Sequence, residues 1–323
     1  MALTDLPLET LREYRPEVAE PSDFDEFWAD TLAQARAMAW APELAAVDTP
    51  IDELVIEDLT FAGFGGEPIK GWVTRPLGEG PWPTVVEFIG YGGGRGLPGE
   101  RLLWAAAGYA HVLMDTRGQG SGWGSGGDTP DPHGSGPAGS GYMTKGIAAP
   151  ETYFYRRVFT DGALLIDAVR ALDFADPDRI AVTGGSQGGA ITLAVAGLSG
   201  ANVRAAMPDV PFLCHFRRSV ELTPQAPFTE VAAYLAVHRA SDDNVFRTLS
   251  YFDGVNFARR IRVPSLFSVG LMDPIVLPSS VFTAYNHLAA ADREIAVYPY
   301  NGHEGGGHAQ WVRQARWLAD RLS

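Results

Sequence analysis

The chain has 323 residues, of which 46% are hydrophobic and 20% charged, so it can bury a large core, and we expect a single domain over residues 1–323. Its formal net charge of −14 argues against a nucleic-acid partner, because binding to a phosphate backbone depends on clusters of basic residues. The sequence contains no run of about 18 consecutive apolar residues, which a membrane-spanning helix would need. The N-terminus lacks the apolar core of a signal peptide, and the single cysteine, Cys214, suits a reducing compartment, so we expect a cytoplasmic protein.

The first elements in chain order are an N-terminal extension, residues 1–50, and a pair of strands. Residues 22–40 space large apolar side chains along one helical face behind a serine N-cap, Ser22, which predicts a helix packed on the main body. From about residue 52, the strand patterns LVIEDLTFAGF and IKGWVTRPL flank a Gly-Gly turn. They predict an antiparallel pair at the edge of a sheet.

Apolar strand runs then alternate with amphipathic helical patterns up to the C-terminus. The strand runs read TVVEFIG, HVLMD, RIAVTGG, AAMPDV, PSLFSVG and EIAVYPY, and the helical patterns include ERLLWAAAGY, DGALLIDAVRALDF and HAQWVRQARWLADRL. Continuous apolar strands separated by helices indicate a mostly parallel sheet covered on both faces. The predicted architecture is a three-layer α/β sandwich.

Two insertions interrupt this alternation. Residues 118–150 form a loop rich in Gly, Pro and Ser that is far longer than an ordinary connection, and such loops tend to be functional or to lie at an interface. Residues 211–260 carry several short amphipathic pieces between two strands, as a cap over a site would. We expect both insertions to shape access to a site.

A nucleophile motif lies at a strand-to-helix junction. Residues 184–188 read Gly-Gly-Ser-Gln-Gly, a G-x-S-x-G pattern between the strand RIAVTG and the helical pattern GAITLAVAG. A sharp turn there would expose the hydroxyl of Ser186, and flanking glycines would avoid steric clash. This context is typical of the nucleophile of an α/β-hydrolase.

The base and the acid are expected downstream of Ser186, because α/β-hydrolases order the triad as Ser, acid, His. His303 follows the strand EIAVYPY directly and is the favoured base, with His308 as the alternative. Asp273 ends the strand SLFSVGLMD and is the favoured acid, and Asp209, at the end of AAMPD, competes with it. The backbone N–H groups of Gln187 and of Tyr91, in the loop GYGGGRG, are the expected oxyanion hole.

Other classes of function fit the residues less well. The segment 303–308 resembles a zinc motif because it contains His303, Glu304 and His308. The two histidines are five residues apart rather than four, and the three glycines between them disfavour the helix that a zinc site of this kind needs. Gly94, Gly96 and Gly99 satisfy a dinucleotide-binding pattern, which Pro98 and the preceding hairpin oppose. We therefore expect no metal and no cofactor. A binding module without catalysis stays open as an alternative.

With these residues placed, the chain resembles the acetyl xylan esterase and cephalosporin C deacetylase family, carbohydrate esterase family seven. The resemblance extends over almost the whole chain, through DFDEFWADTL, TYFYRRVFTDG, FRTLSYFDGVNFARRI and YPYNGHEGG. Three signatures of the family match, namely Arg117-Gly118-Gln119, the Gly-x-Ser-Gln-Gly of residues 184–188, and His303-Glu304. One departure is Ile89, where members commonly carry a histidine before Gly-Tyr.

The resemblance implies the same triad and oxyanion hole as the residues themselves. It also implies a structural role for Arg117 and Gln119, and we place Glu304 beside them as support. The implied substrates are small acetylated molecules, including short acetylated xylo-oligosaccharides and cephalosporin C. The implied assembly is a homo-oligomer, a hexamer whose active sites face an inner cavity. A short-chain carboxylesterase or a prolyl-type peptidase remains as an alternative of the same fold.

Overall fold

The computed structural model describes residues 5–133 and 136–322, and its centre is a single sheet of nine strands with the order β1-β2-β3-β5-β4-β6-β7-β8-β9. The strands from β4 to β9 pair in parallel, whereas β1, β2, β3 and β5 join through antiparallel pairs. The strands are β1 Glu43–Ala46, β2 Leu54–Ala62, β3 Pro68–Pro76, β4 Trp82–Phe88, β5 Ala110–Met114, β6 Ala175–Gly185, β7 Ala205–Asp209, β8 Ser265–Gly270 and β9 Arg293–Tyr298.

Helices cover both faces of this sheet. They are α1 Leu8–Glu13, α2 Phe24–Ala37, α3 Leu103–Ala106, α4 Phe154–Arg170, α5 Gln187–Ser199, α6 Phe216–Leu222, α7 Phe228–Val237, α8 Asp242–Ser250, α9 Gly254–Ala258, α10 Pro278–His287 and α11 Gly307–Ala319. The larger core lies on the face that carries α4, α5, α9 and α10, and a smaller core lies under α3 and α11 on the other face. The three-layer prediction is confirmed.

The central strands and α5 are buried because their sequences are apolar on every side. All residues of β5 and β8 are buried. Helix α5, QGGAITLAVAGLS, lies between the sheet and its neighbours α4 and α9, as expected of a helix without a polar face. This rigid centre carries the junction at residue 186.

Three local predictions need correction. Helix α2 begins at Phe24 with Asp23 at the N-cap rather than Ser22, and the Asp23 carboxylate accepts a hydrogen bond from the Tyr251 hydroxyl. The pair β2–β3 is not at the edge, because β1 covers β2 on its outer side. The helix predicted over ERLLWAAAGY is reduced to four residues, and Gly108, at φ 93°, ends the turn after it.

The two insertions lie at the carboxyl ends of the parallel strands. Residues 118–150 run between β5 and α4 without forming a strand or an α-helix in their described part. Residues 211–260 form α6 to α9. No helix within the described ranges 5–133 and 136–322 is long and apolar enough to cross a bilayer.

Candidate active site

The turn between β6 and α5 places Ser186 at the rim of the sheet. Its backbone has φ 57° and ψ −117°, a conformation that L-residues rarely adopt and that strained nucleophile turns require. A Cβ at Gly184 or Gly188 would overlap backbone, of residue 188 or Phe88 respectively, so the flanking glycines are required by close packing. The Ser186 N–H donates to the Asp209 carbonyl at 2.9 Å, which fixes the turn against β7.

His303 reaches Ser186 from the loop that follows β9. Its Nε2 lies 2.9 Å from the Ser186 Oγ. The loop is held by Glu304, whose carboxylate accepts hydrogen bonds from Asn301 Nδ2 at 2.6 Å and from the Gly302 N–H at 3.0 Å. The Asn301 hydrogen bond holds the pKa of Glu304 below its usual value. Glu304 therefore supports the loop that carries the imidazole.

Asp273 completes a continuous hydrogen-bonded series. Its Oδ2 lies 2.8 Å from Nδ1 of His303, and its Oδ1 accepts the N–H groups of Ile275 and Val276 at 2.8 and 2.9 Å. The carboxylate is fully buried. Both oxygens are thus held, and the imidazole is oriented with its other nitrogen toward Ser186.

Asp209, the competing acid, faces another way. Its two oxygens accept hydrogen bonds from the side-chain amides of Gln310 and Gln314 in α11, at 3.0 and 2.8 Å. Burial raises the pKa of Asp209 to about 7. The carboxyl group ties the end of β7 to α11, and Asp273 rather than Asp209 contacts the imidazole.

The loop of residues 89–92, which we call the oxyanion loop, is fixed by a pair of side-chain amides. Gln187 Nε2 donates to the Ile89 carbonyl at 3.1 Å, and Gln119 Oε1 accepts the Gly92 N–H at 2.7 Å. The two amides also bond to each other, with Gln119 Nε2 2.9 Å from Gln187 Oε1. Gln119 and Gln187 together position the loop beside the nucleophile turn.

Arg117 lies away from this loop in a buried ion-pair cluster. Its guanidinium has no exposed surface and forms two hydrogen bonds to Asp161 in α4, at 2.6 and 2.8 Å, and one to Glu67 at 2.5 Å. Burial raises the pKa of Asp161, and the charge of Arg117 opposes that rise. The contacts are those of a structural tie between α4 and the start of β3.

A cavity of about 750 Å³ opens above Ser186 and His303. The oxyanion loop forms one wall, Trp123 of the Gly-rich loop forms the second, and Ala226 and Pro227 of the cap form the third. Both insertions therefore border the site. A larger cleft of about 1180 Å³ lies between residues 14–23 and the cap, and no triad residue lines it.

The residues of the rival motifs have structural surroundings. His308 stacks on Trp311 in α11, with ring centroids 5.4 Å apart, while His303 points to Ser186. A Cβ at Gly94 would overlap the backbone of Gly126, so that loop packs against the chain rather than leaving a cradle. Residues 5–133 and 136–322 contain no group of three or more metal-binding side chains.

Two residues at the site were not singled out from the sequence. Trp123 is 49% exposed at the mouth of the cavity, and its Nε1 donates to the Tyr91 carbonyl at 2.7 Å. Glu230 of α7 accepts a hydrogen bond from the Tyr91 hydroxyl at 2.7 Å. A large aromatic residue within a Gly-rich loop was a usable signal for Trp123, whereas nothing local marked Glu230.

Comparison with known proteins identifies the family. The family model for acetyl xylan esterase (AXE1) matches residues 1–321. Acetyl xylan esterase from a Paenibacillus species is 38% identical, with a TM-score of 0.91 over 98% of this chain and 100% of that one.

Two further relatives agree. Acetyl xylan esterase 1 from a Thermoanaerobacterium species is 33% identical, with a TM-score of 0.90 over 99% of this chain and 100% of that one. An acetyl esterase of Xylanibacter ruminicola is 27% identical over 95% of this chain and 69% of its own length. The chain therefore belongs to the acetyl xylan esterase family and is a carboxylic ester hydrolase with the α/β-hydrolase fold.

Proposed function

We propose that this enzyme removes acetyl groups from small esters through an acetyl-enzyme formed on Ser186. The observation that carries the proposal is the hydrogen-bonded series from the Ser186 hydroxyl through His303 to Asp273. A hydroxyl next to an imidazole that is itself oriented by a carboxylate is the arrangement that nucleophilic acyl transfer requires.

In the first half-reaction, His303 Nε2 takes the hydroxyl proton while Ser186 Oγ attacks the acetyl carbonyl. The tetrahedral intermediate collapses, the bond to the alcohol oxygen breaks, and the alcohol leaves with the proton from His303. A water molecule then gives a proton to His303 and attacks the acetyl-enzyme, the bond to Ser186 Oγ breaks as acetate is released, and the proton passes from His303 to Ser186 Oγ. Asp273 keeps the imidazole in the tautomer that accepts from Ser186 and stabilises its cationic form.

The negative charge of the intermediate is held by the N–H groups of Tyr91 and Gln187. Gln187 is the first residue of α5, so its N–H has no acceptor within the helix. Tyr91 lines the same cavity as Ser186. The Gln119–Gln187 amide pair, Glu304 and Arg117 support the site through hydrogen bonds to other parts of the protein.

The cavity suits a small acyl group attached to an alcohol the size of one or a few sugar rings. The exposed face of Trp123 is placed for a sugar ring to stack against, and its indole is held in position by the Tyr91 carbonyl. Short acetylated xylo-oligosaccharides and cephalosporin C are the substrates we propose. Membership of the family supports this choice.

The proposed enzyme is a cytoplasmic homo-hexamer of single-domain subunits, with residues 118–150 at a subunit interface and residues 211–260 as a cap. The resemblance to the family supports the hexamer, and the one cysteine, which is buried and free, supports a reducing compartment. Light scattering after size-exclusion chromatography measures the assembly. A monomer at micromolar concentration would exclude the hexamer.

The function is tested by Ser186→Ala in an assay of p-nitrophenyl acetate hydrolysis. We expect kcat/KM to fall at least about 1,000-fold, because the nucleophile is lost while the fold is kept. Ser199→Ala, at the other end of α5, is the matched control and should retain activity. Wild-type-like hydrolysis by Ser186→Ala would remove Ser186 from the mechanism.

A further inference from the structure

Three segments that are distant in sequence meet at the hydroxyl of Tyr91. The hydroxyl donates to Glu230 Oε1 at 2.7 Å and accepts the N–H of Tyr142 at 2.5 Å. The second oxygen of Glu230 accepts the N–H of Met143 at 3.1 Å. The oxyanion loop, the Gly-rich loop and helix α7 of the cap are thus joined at one point, which we call the tyrosine node.

The tyrosine node is built closely. Gly141 has φ 80°, and a Cβ at this position would overlap both the Glu230 carboxylate and the Tyr91 hydroxyl. The Tyr91 ring also packs edge-on against Tyr142, with centroids 5.2 Å apart, and against Phe212 at 6.2 Å. The ring is therefore held by two aromatic neighbours and at its hydroxyl.

The node requires a carboxylate at residue 230. Both groups that face its oxygens, the Tyr91 O–H and the Met143 N–H, are donors, and an amide side chain offers a single acceptor oxygen. Burial raises the pKa of Glu230, while its hydrogen bonds and the nearby Lys145 oppose that rise. Lys145 Nζ lies over the Tyr142 ring, 4.5 Å from its centroid, and its charge acts on the partly buried carboxylate of Glu230.

We propose that Glu230 of the cap is a positioning residue for catalysis, which holds Tyr91 so that its backbone N–H points at the reacting carbonyl. Tyr91 is tied at its carbonyl by Trp123 and at its hydroxyl by Glu230, and these two anchors fix the residue that carries the N–H. Removing one anchor lets the peptide rotate. Oxyanion donors act mainly in the transition state, so the loss appears in kcat rather than in KM. The inference rests on the proposed acyl transfer at Ser186.

The test compares Glu230→Gln, Tyr91→Phe and the double variant in p-nitrophenyl acetate hydrolysis. Each single variant should lower kcat about tenfold with KM changed less than about twofold. Tyr91→Phe removes the hydrogen bond to residue 230, and Glu230→Gln leaves either the Tyr91 hydroxyl or the Met143 N–H facing an amide NH2 group instead of an acceptor. The double variant should show a fall in kcat no larger than that of either single variant, because the two changes act on one interaction. The inhibition constant of a small boronic acid, which forms a tetrahedral adduct, should rise in parallel.

Glu294→Gln is the matched control, because Glu294 also accepts a hydrogen bond from an aromatic side chain, Trp317 Nε1 at 2.8 Å, far from the cavity. It should keep wild-type kcat. An unchanged kcat in Glu230→Gln, or losses that multiply in the double variant, would overturn the role of Glu230 while leaving the esterase proposal intact. If Ser186→Ala were as active as wild type, the esterase mechanism itself would fail.

Discussion

The assignment of Asp273 as the triad acid predicts a specific defect in Asp273→Asn. The Oδ1 of Asp273 accepts two backbone N–H groups, so the amide oxygen of asparagine would take this place and its Nδ2 would face His303. Two donors would then oppose each other unless the imidazole moved its proton to Nε2. In that tautomer, Nε2 donates to Ser186 and can no longer accept its proton.

The size of this defect follows from the loss of the general base. Replacing the acid of such a triad by asparagine lowers kcat by about 10⁴, or about 5.4 kcal/mol of transition-state stabilisation. Asp209→Asn changes a carboxyl group that lies at the end of the parallel strand β7 and is bonded to Gln310 and Gln314. It should lower kcat less than about tenfold, since the imidazole keeps its partner.

Initial rates of p-nitrophenyl acetate hydrolysis give kcat for both variants, and a cooperative thermal unfolding transition shows that each variant is folded. If Asp209→Asn lowered kcat as much as Asp273→Asn, the change of His303 tautomer would not explain the loss of activity in Asp273→Asn. An Asp273→Asn variant within tenfold of wild type would refute the assignment outright.

Three further predictions concern stability and substrate binding. Burial raises the pKa of Asp209 to about 7. The native protein therefore binds this proton more tightly than the unfolded chain, so the free energy of unfolding should fall between about pH 4 and pH 7, by less than about 4 kcal/mol because the residue is partly exposed. In Asp209→Asn, the free energy of unfolding measured with urea should fall less between about pH 4 and pH 7 than in the wild type. An equal fall in the two proteins would contradict the raised pKa of Asp209. Arg117→Ala leaves Asp161 buried without its cation and should lower the free energy of unfolding, measured with urea, by about 3–5 kcal/mol. Arg117→Lys should restore only part of this stability. A loss below about 1 kcal/mol in Arg117→Ala would contradict the structural role of the ion pair. Trp123→Ala should raise KM for acetylated xylobiose about tenfold. Trp40→Ala removes another exposed indole that is bonded to a carbonyl and should leave KM unchanged. If the two variants had the same KM, stacking of the sugar on Trp123 would be refuted.

The elements that could be predicted from the sequence are those with a local signature. The parallel strands are continuous apolar runs, and the turn at Ser186 combines a strand, flanking glycines and a helix within a few residues. The sequence order of the triad then limits the search for its partners to the ends of two later strands. The sequence places Asp273 at the end of a strand, but β8 ends at Gly270 and Asp273 lies in the turn after it, whereas Asp209 is the last residue of β7. Geometry was still needed to decide between them, because only the structure shows which carboxylate faces the imidazole.

The parts that could not be predicted depend on exposure or on distant contacts. Strand β1, ELAA, is short and mostly exposed, so it lacks the alternating pattern that marks a half-buried strand. The N-cap of α2 was misplaced by one residue because serine and aspartate are adjacent and both suit the position. Glu230 lies on an ordinary amphipathic helix, and only the folded cap brings it to Tyr91.

The two halves of the site are therefore supported in different ways. The triad is carried by turns at the ends of β6, β8 and β9, whose relative positions are set by parallel pairing within the buried sheet. The oxyanion loop is held by side chains from both insertions, at Gln119, Trp123 and Glu230. Sequence changes in the insertions can therefore alter the rate and the choice of alcohol while leaving the nucleophile, base and acid in contact. The insertions that border the cavity are thus separate from the strands that hold the triad together, as is usual where loops on a rigid scaffold set specificity.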